Sequence, residues 1–170
     1  KIDINKSNYF VIDKSGNKFS LNKKNFQFLV NGVIISFDYI INLVHGSPGE
    51  DGNLTKKFED LGISHSTCSS SAAKLTFNKK KCLEFAKNNG IKIAKNKLIK
   101  KDQDINEKTI EAEIGFPCFV KPNQSGSSFG ISKVYSEKEL KPAIEKALKE
   151  DNEIVIESFL RGREVNVGVF

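Results

Sequence analysis

The spacing of apolar residues divides the chain into short strands and amphipathic helices. Residues 8–13 are largely aromatic and aliphatic, residues 14–18 have the composition of a turn, and residues 19–21 are again mostly apolar. This pattern predicts a β-hairpin. Residues 33–37 predict another short strand. The almost unbroken apolar run over 39–44 is typical of a strand buried on both faces of a parallel sheet.

Two helices are predicted from apolar residues three to four positions apart. Leu54, Phe58 and Leu61 fall on one helical stripe, and Gly62 stands where a glycine commonly ends a helix. Residues 78–89 predict a second helix that ends before a glycine. Its expected buried face carries Cys82, Leu83, Phe85 and Ala86.

The second half of the chain alternates strands with polar segments. Residues 64–71 are small and polar and predict a domain boundary, whereas residues 95–106 predict an irregular connection. Ser136 and Glu139 have the spacing of a capping box, but Pro142 disfavours an unbroken helix from Ser136, so we expect that helix to start near Lys141. The other predicted elements are strands over 115–122, 131–135, 154–157 and 164–170, a flexible loop over 123–130 and a turn over 159–163.

Composition restricts the class of protein. A length of 170 residues predicts one domain or two small ones. No apolar run approaches the roughly 20 residues that cross a bilayer, so we expect no membrane span. Three cysteines without a CxxC pair argue against a disulfide framework or a zinc ribbon and favour a reducing cytoplasm. Because the chain lacks Met and starts at Lys1, we expect a fragment of a longer protein.

The net charge of +6 is weak evidence for a nucleic-acid partner. A basic surface can attract nucleic acid or anionic membranes. Only two of the 27 basic residues are arginines, Arg161 and Arg163, and arginine is the usual reader of base edges. The lysines are scattered over predicted solvated helix faces and loops. We therefore expect no nucleic-acid partner.

The strongest chemical signal is a lysine that ends a strand before a Gly/Ser loop. Lys121 and Pro122 precede the sequence Ser125-Gly126-Ser127-Ser128-Phe129-Gly130. Glycines let backbone N–H groups approach a phosphate, hydroxyls add donors and the lysine adds charge. The motif is neither a Walker A loop nor a dinucleotide fingerprint, since a strand follows the loop. An ordinary hairpin loop with a solvated lysine fits the same residues.

Three weaker signals accompany this loop. Glu157 ends a strand and Glu164 follows across a Gly162 turn, where a hinge backbone can read an adenine edge and a carboxylate can bind ribose. Residues 45–52 stand between a strand and a helix, where open α/β sheets bind ligands and helix N-termini favour anions. Lys79 opens a helix beside two further lysines. Taken alone, these stretches are also explained by solvated acids, helix caps, a half-buried histidine and surface lysines.

In this order the motifs resemble the D-alanine–D-alanine ligases, members of the ATP-grasp superfamily. The likeness runs from about Tyr39 to the end of the sequence. It is carried by His45-Gly46-x-x-Gly49-Glu50-Asp51-Gly52, Asn78-Lys79, Phe116-Pro117-x-x-Val120-Lys121-Pro122, Gly126-Ser127-Ser128-x-Gly130, Ile156-Glu157-x-Phe159 and Gly162-x-Glu164. The motif that begins at His45, followed later in the chain by the motif that begins at Gly126, is specific to the family.

The resemblance implies an ATP-grasp architecture of mixed α/β and α+β class. It predicts a partial N-terminal α/β domain over 1–67, a central lid domain over 68–157 and the first strand of a C-terminal domain over 158–170. The implied reaction joins two D-alanines for peptidoglycan synthesis in the cytoplasm. ATP phosphorylates the first carboxylate, the second amine attacks the acylphosphate, and Mg²⁺ neutralises the phosphates. The family is often dimeric.

The resemblance also implies a role for each matching residue. His45 would lie at the first D-alanine and, with Ser127, is an expected catalytic residue, whereas Glu50 would support its loop. The implied ATP-binding residues are Lys79 and Lys121 at the phosphates, Gly126, Ser127 and Ser128 over the γ-phosphate, Glu157, Ser158 and Leu160 at the adenine, and Glu164 at the ribose. The family's metal ligands and oxyanion arginine would follow Phe170. We therefore expect residues 1–170 alone not to turn over.

Three other functions stay open on the sequence. A D-alanine–D-lactate ligase, or another ATP-grasp carboxylate–amine ligase, would share these motifs, because the discriminating residues lie largely outside this sequence. A non-catalytic nucleotide-binding module would lack the downstream metal ligands. A basic nucleic-acid binder would be retained on heparin with a steep dependence on salt.

Overall fold

The computed structural model describes residues 2–4, 9–165 and 167–168. Its strands are β1 (Ile2–Ile4), β2 (Tyr9–Ile12), β3 (Lys18–Ser20), β4 (Phe28–Val30), β5 (Val33–Ile35), β6 (Tyr39–Ile40), β7 (Ser64–His65), β8 (Asn96–Lys100), β9 (Cys118–Pro122), β10 (Ser132–Val134) and β11 (Glu153–Ser158). Its helices are α1 (Asn53–Asp60), α2 (Ser70–Phe77), α3 (Lys79–Asn88), α4 (Glu107–Glu113) and α5 (Glu137–Ala147). None of these helices is long and apolar enough to cross a membrane.

The N-terminal part arranges three small sheets around one apolar core. β1, β2 and β3 form an antiparallel sheet, β4 pairs with β5, and β6 runs parallel to β7. Phe26 and Phe58 are almost completely buried, and their rings meet edge to face with centroids 5.2 Å apart. The predicted hairpin is confirmed from Tyr9 onwards, whereas Asn8 lies outside the described residues.

Helix α1 agrees with its predicted apolar stripe. Leu54 and Phe58 are buried, and Leu61 packs against the same core from the end of the helix. Gly62 follows with a φ of 67°, a left-handed conformation that a Cβ would strain. The helix therefore ends where the glycine predicted it.

The C-terminal part is built on a four-stranded antiparallel sheet in the order β10-β9-β11-β8. Helices α4 and α5 cover one of its faces. The core on that face consists mainly of Ile99, Ile110, Val120, Val134, Leu140, Ile144, Ile154 and Ile156. Successive strand residues point to opposite faces, so the residues between these core positions lie on the uncovered side. The strands predicted over 115–122, 131–135 and 154–157 are confirmed as β9, β10 and β11.

Two polar stretches contain regular structure that their composition conceals. Residues 95–106 include β8, in which the buried Ile99 stands opposite Ile154 of β11, so the irregular connection predicted there is wrong. Residues 64–71 include β7 and the start of α2, where the Ser69 hydroxyl accepts the Ala72 N–H at 3.3 Å. An edge strand needs few apolar residues because only one of its sides must be buried.

Helix α5 begins at Glu137 rather than near Lys141, and Pro142 lies inside it. The start is stabilised by Glu139, whose carboxylate accepts the Ser136 hydroxyl at 3.2 Å and the Tyr135 N–H at 3.1 Å. Pro142 is exposed, so water can solvate the carbonyl that loses its helical N–H partner.

The buried face predicted for α3 is wrong. None of the residues of α3 is fully buried, and Phe85 is 55% exposed. Among the described elements α3 packs mainly against α2 rather than on the sheet. The apolar stripe of α3 is therefore only partly covered, with Cys82, Leu83 and Ala86 half-buried, although its spacing is that of a buried helix.

The apolar run over residues 39–44 forms only a two-residue strand. Ile40 is buried, but Ile41 and Leu43 are 69% and 83% exposed, so burial on both faces does not hold among the described residues. The parallel partner expected for this run exists as β7. The strand predicted over 164–170 includes residues 166, 169 and 170, which are not described, and the rest of that stretch is not in a strand. The domain division stays a prediction.

Candidate functional site

The uncovered face of the four-stranded sheet carries a row of polar and aromatic side chains. The strand register places Lys133 opposite Phe119, and Phe119 opposite Glu157. Glu157 in turn stands opposite Asn96 of β8. Lys121 follows Phe119 by two residues and therefore points to the same face. The core beneath α4 and α5 thus orients this row by occupying the opposite side.

Lys121 and Glu157 form an ion pair between β9 and β11. Their Nζ and Oε2 atoms are 2.9 Å apart, and the two side chains are 23% and 13% exposed. The same Nζ lies 5.3 Å from the centre of the Phe119 ring. Removing one partner of a largely buried pair leaves the other charge uncompensated. The pair therefore holds the Lys121 ammonium at a defined place on the sheet.

Lys79 brings a second ammonium group to this region from the first turn of α3. Its Nζ donates to the Ser125 carbonyl at 2.9 Å. Burial of the side chain, followed by the charge of Lys121, holds the pKa of Lys79 below its usual 10.5. An anion bound between the two ammonium groups would relieve their repulsion. This electrostatic arrangement suits a phosphate or a carboxylate.

The loop between β9 and β10 crosses over the lysines. Ser127 and Ser128 have φ angles of 49° and 59°, left-handed conformations that are uncommon outside glycine. Gly126 packs against the loop over residues 45–50, and a Cβ at this position would lie 2.5 Å from Oε2 of Glu50. Glycine at position 126 therefore allows the two loops to approach this closely.

A cavity of about 610 Å³ lies between these two loops and the helices α2 and α3. Oε2 of Glu50 accepts the Gly46 N–H at 2.8 Å, and Oε1 of Glu50 lies 3.6 Å from Nδ1 of the exposed His45. Four of the residues predicted for the site line this cavity together, namely His45, Lys79, Gly126 and Ser127. Ser128 is exposed on the same loop, outside this lining.

A second cavity, of about 550 Å³, lies at the end of β11. Five further predicted residues line it, namely Lys121, Glu157, Ser158, Leu160 and Glu164. The N–H of Ser158 donates to the Lys95 carbonyl at 2.9 Å, and its hydroxyl accepts the Lys95 N–H at 3.1 Å. Ser158 thereby anchors the end of β11 to the residue before β8.

One lysine lines each cavity, Lys79 the first and Lys121 the second, and the charges of the two lysines interact. The second cavity also has aromatic walls, because Phe119 and Phe159 both line it with ring centroids 6.1 Å apart. A ligand that spans both cavities would meet aromatic rings and carboxylates at one end, cations in the middle and a hydroxyl-rich loop at the other.

Sequence reasoning missed two asparagines of this region. Asn42 donates from Nδ2 to the Gly49 carbonyl at 3.0 Å and accepts the Val44 N–H at 3.1 Å, which braces the loop that carries His45. Asn123 lies between Lys121 and the Gly/Ser loop and is 1% exposed. Asn42 was hidden in the apolar run predicted as a strand over 39–44, and Asn123 lies in a predicted loop, where an asparagine is ordinarily read as a turn residue.

Comparison with known proteins finds relatives of this chain. The family model described as "D-ala D-ala ligase C-terminus" matches residues 85–170. A D-alanine–D-alanine ligase of Flavobacterium johnsoniae is 48% identical over 99% of this chain and 52% of its own length. The chain thus spans about half the length of the curated relatives it matches.

Two solved structures show the same arrangement. The VanG D-Ala:D-Ser ligase from Enterococcus faecalis is 31% identical, with a TM-score of 0.77 over 91% of this chain and 50% of that one. The D-alanine–D-alanine ligase from Bacillus anthracis complexed with ATP is 30% identical, with a TM-score of 0.65 over 74% and 42%.

The fold is therefore part of an ATP-grasp architecture, of the mixed helix and strand class that the sequence predicted. Within that architecture, the chain belongs to the D-alanine–D-alanine ligase family.

Proposed function

We propose that the chain is part of an ATP-dependent ligase that joins two D-alanines for peptidoglycan precursor synthesis. The observation that carries this proposal is the pair of ammonium groups on Lys79 and Lys121, which lie between an aromatic cavity and a cavity covered by the Gly/Ser loop. A nucleoside triphosphate matches this order, because it is flat and aromatic at one end and anionic at the other.

The nucleotide would occupy the cavity at the end of β11. The adenine would lie against Phe119 and along the backbone from Ser158 to Leu160, and Glu164 would accept the ribose hydroxyls. Lys121 would exchange part of its contact with Glu157 for a phosphate oxygen. Charge-assisted hydrogen bonds of this kind are stronger than those between neutral groups.

The first D-alanine would occupy the larger cavity, with its carboxylate close to Lys79, Ser127 and His45. The γ-phosphoryl group moves from ATP to a carboxylate oxygen and leaves ADP. The amine of the second D-alanine then attacks the acyl carbon. The new C–N bond forms as the C–O bond to phosphate breaks, the phosphate leaves with the bonding electrons, and the amine loses a proton. Lys79 and Lys121 neutralise charge, and the Ser127 loop excludes water.

Magnesium would neutralise the phosphates in the proposed reaction, but the described part of the chain does not supply a site for it. These residues contain no group of three or more His, Cys, Asp or Glu side chains that could hold a metal ion. We therefore propose that the ligands of the metal follow Phe170.

The proposed substrates are D-alanine and ATP rather than nucleic acid, and the proposed location is the cytoplasm, where ATP is available. A homodimer is the proposed assembly of the full-length protein, to be checked by sedimentation. The similarity to a D-Ala:D-Ser ligase supports a second candidate function, in which D-serine or D-lactate replaces the second D-alanine.

Nucleotide binding is tested on this chain by titrating ATP calorimetrically. We expect Lys79→Gln and Lys121→Gln each to raise the dissociation constant about tenfold or more, because each removes a charge-assisted contact. Lys141→Gln changes an exposed lysine on α5 and should leave the affinity unchanged. Equal affinity in the wild type and both site variants would rule out the proposed nucleotide site.

Activity is tested on the full-length protein by phosphate release with Mg-ATP, first with D-alanine alone and then with added D-lactate or D-serine. Release with D-alanine alone supports the dipeptide ligase, and release that requires the second compound supports the alternative acceptor. No release in any mixture would overturn both. Residues 1–170 alone should release no phosphate under the same conditions.

A further inference from the structure

Asn123 is a buried polar residue that follows β9 and joins it to β11. Its N–H donates to the Glu153 carbonyl at 2.8 Å, and its Nδ2 donates to Oε2 of Glu153 at 3.0 Å. With 1% of its surface exposed, Asn123 has little access to water that could replace these partners. Both bonds fix Asn123 to the first residue of β11.

The acceptor atoms of Asn123 hold the start of α3. Its backbone carbonyl accepts the Lys79 N–H, and its Oδ1 accepts the Lys80 N–H, each at 3.0 Å. The next N–H, that of Lys81, is accepted by the N-cap residue Asn78 at 2.9 Å. The first N–H groups of a helix have no partner within the helix. Here the residue that follows β9 binds the first two of them.

These bonds connect the two lysines of the site through one residue. Lys121 lies two residues before Asn123, and Ser125, whose carbonyl accepts the Lys79 ammonium, lies two residues after it. The Lys79 backbone and side chain are thus both held by the segment that begins at Lys121. A shift of α3 away from Asn123 would carry Lys79 away from Lys121.

We propose that Asn123 is a positioning residue that sets the separation of the Lys79 and Lys121 ammonium groups and thereby the affinity of the site for a polyphosphate. The inference rests on the proposed function, in which both lysines bind the nucleotide phosphates. Asn123 acts through the lysines, because its own polar atoms are occupied by Glu153 and the start of α3.

The first test replaces the side chain. Asn123→Ala leaves the Lys80 N–H and the Glu153 carboxylate without this partner, so we expect α3 to move away from the sheet. The pKa of Lys79, followed by NMR of its Cε and Nζ nuclei without nucleotide, should rise toward its usual value as Lys121 becomes more distant. The dissociation constants of ATP and of inorganic tripolyphosphate should increase about tenfold.

A second test exchanges the amide of Asn123 and the carboxylate of Glu153 between the two positions. Asn123→Asp keeps an acceptor for Lys80 but places a carboxylate against Glu153, and should weaken tripolyphosphate binding at least as much as Asn123→Ala. Adding Glu153→Gln to this variant supplies a donor to the new carboxylate. The double variant should recover most of the affinity and the low pKa of Lys79. The double variant therefore tests the positioning role of Asn123 even if Asn123→Ala does not fold.

Asn106→Ala is the matched control. Asn106 caps α4, where its Oδ1 accepts the Thr109 N–H at 3.3 Å, on the face of the sheet away from the lysines. The control should lower the melting temperature without changing the Lys79 pKa or the affinity. A folded Asn123→Ala protein with both quantities unchanged, or a double variant no better than Asn123→Asp, would overturn the proposal. Because the pKa is measured without ligand, this result stays distinct from a failure of the wild type to bind ATP.

Discussion

At the scale of single residues, Lys79 occupies an unfavourable place for a positive charge. It is half-buried, and burial together with the charge of Lys121 lowers its pKa, against smaller opposing effects of Asp151 and Glu157. The hydrogen bond to the Ser125 carbonyl offsets only part of this cost, since a carbonyl is a dipole rather than a charge. Two neighbouring ammonium groups, one of them paired with Glu157, fit the anionic ligand proposed above.

The pKa of Lys79 makes stability depend on pH in a defined direction. At a pH where the residue is protonated in both the folded and the unfolded chain, the cost of burying its charge is fully present. As the pH rises from the folded pKa toward 10.5, the folded state releases its proton first and that cost disappears.

We therefore expect the stability of the wild type relative to Lys79→Gln to increase over this pH interval. Urea unfolding at a series of pH values from 7 to about 10.5 measures the difference. Lys141→Gln, which changes an exposed lysine, should show no such trend. A difference between wild type and Lys79→Gln that is constant with pH would contradict the prediction.

The cysteines differ in reactivity for a related reason. Burial raises the pKa of Cys118 to about 11, whereas Cys68 is exposed on the lining of the larger cavity. The thiolate is the reactive form, so we expect iodoacetamide at pH 8 to modify Cys68 and to spare Cys118 in the folded chain. Mass spectrometry of peptides locates the label. Equal modification of both thiols before unfolding would show that Cys118 is accessible.

At the scale of the elements, the C-terminal sheet acts as a support with two different faces. One face is closed by α4 and α5 over aliphatic residues, and the other presents Lys133, Phe119, Glu157 and Lys121. The alternation of side chains along a strand connects the two faces rigidly. Loss of packing under α5 would therefore disturb the site without any change to a residue that touches a ligand.

Leu140 tests this support. Its side chain is completely buried in the core under α5, and Leu140→Ala should lower the free energy of unfolding by about 2–5 kcal/mol. Lys141→Ala, one residue further on the exposed side, should change it by no more than about 0.5 kcal/mol. Urea denaturation measures both values. Similar values for the two variants would mean that α5 does not close the core as described.

At the scale of the whole molecule, the N-terminal and C-terminal parts meet where Gly126 contacts the loop that carries His45. The larger cavity exists only because these parts face each other, since its lining residues come from both. The Glu50 carboxylate lies at the contact and also holds the Gly46 N–H. A substitution at position 126 should therefore disturb the loop over residues 45–50.

A double-mutant cycle measures this contact. Gly126→Ala places a Cβ 2.5 Å from Oε2 of Glu50, so the carboxylate must turn away and give up its bond to the Gly46 N–H, which should cost about 0.5–1.5 kcal/mol of stability. In a Glu50→Ala background the same change should cost much less, because the obstructing atoms are gone. The coupling free energy between the two substitutions, measured by urea unfolding, should therefore differ from zero by at least about 0.5 kcal/mol. Additive effects would show that the two loops do not touch in solution.

Local patterns in the sequence were sufficient for elements whose stability depends on nearby residues. The hairpin from Tyr9, the helix with Leu54 and Phe58 buried, and the three strands around Lys121 follow from alternation, helical spacing and turn residues. The order of motifs also indicated the family. These predictions succeeded because turns, caps and amphipathic stripes are encoded within a few positions of one another.

Other features depend on contacts between residues far apart in the chain. β8 is a strand because Ile99 meets Ile154, α3 leaves Phe85 exposed because the helix packs mainly against α2, and Pro142 is tolerated because it faces solvent. The pairing of Lys79 with Lys121, and the buried Asn123 between them, likewise join segments that are about forty residues apart. The sequence by itself determined which chemical groups the chain carries and in what order. Which of these groups are buried, and which charges lie close together, was decided by tertiary packing, because both depend on residues distant in the chain.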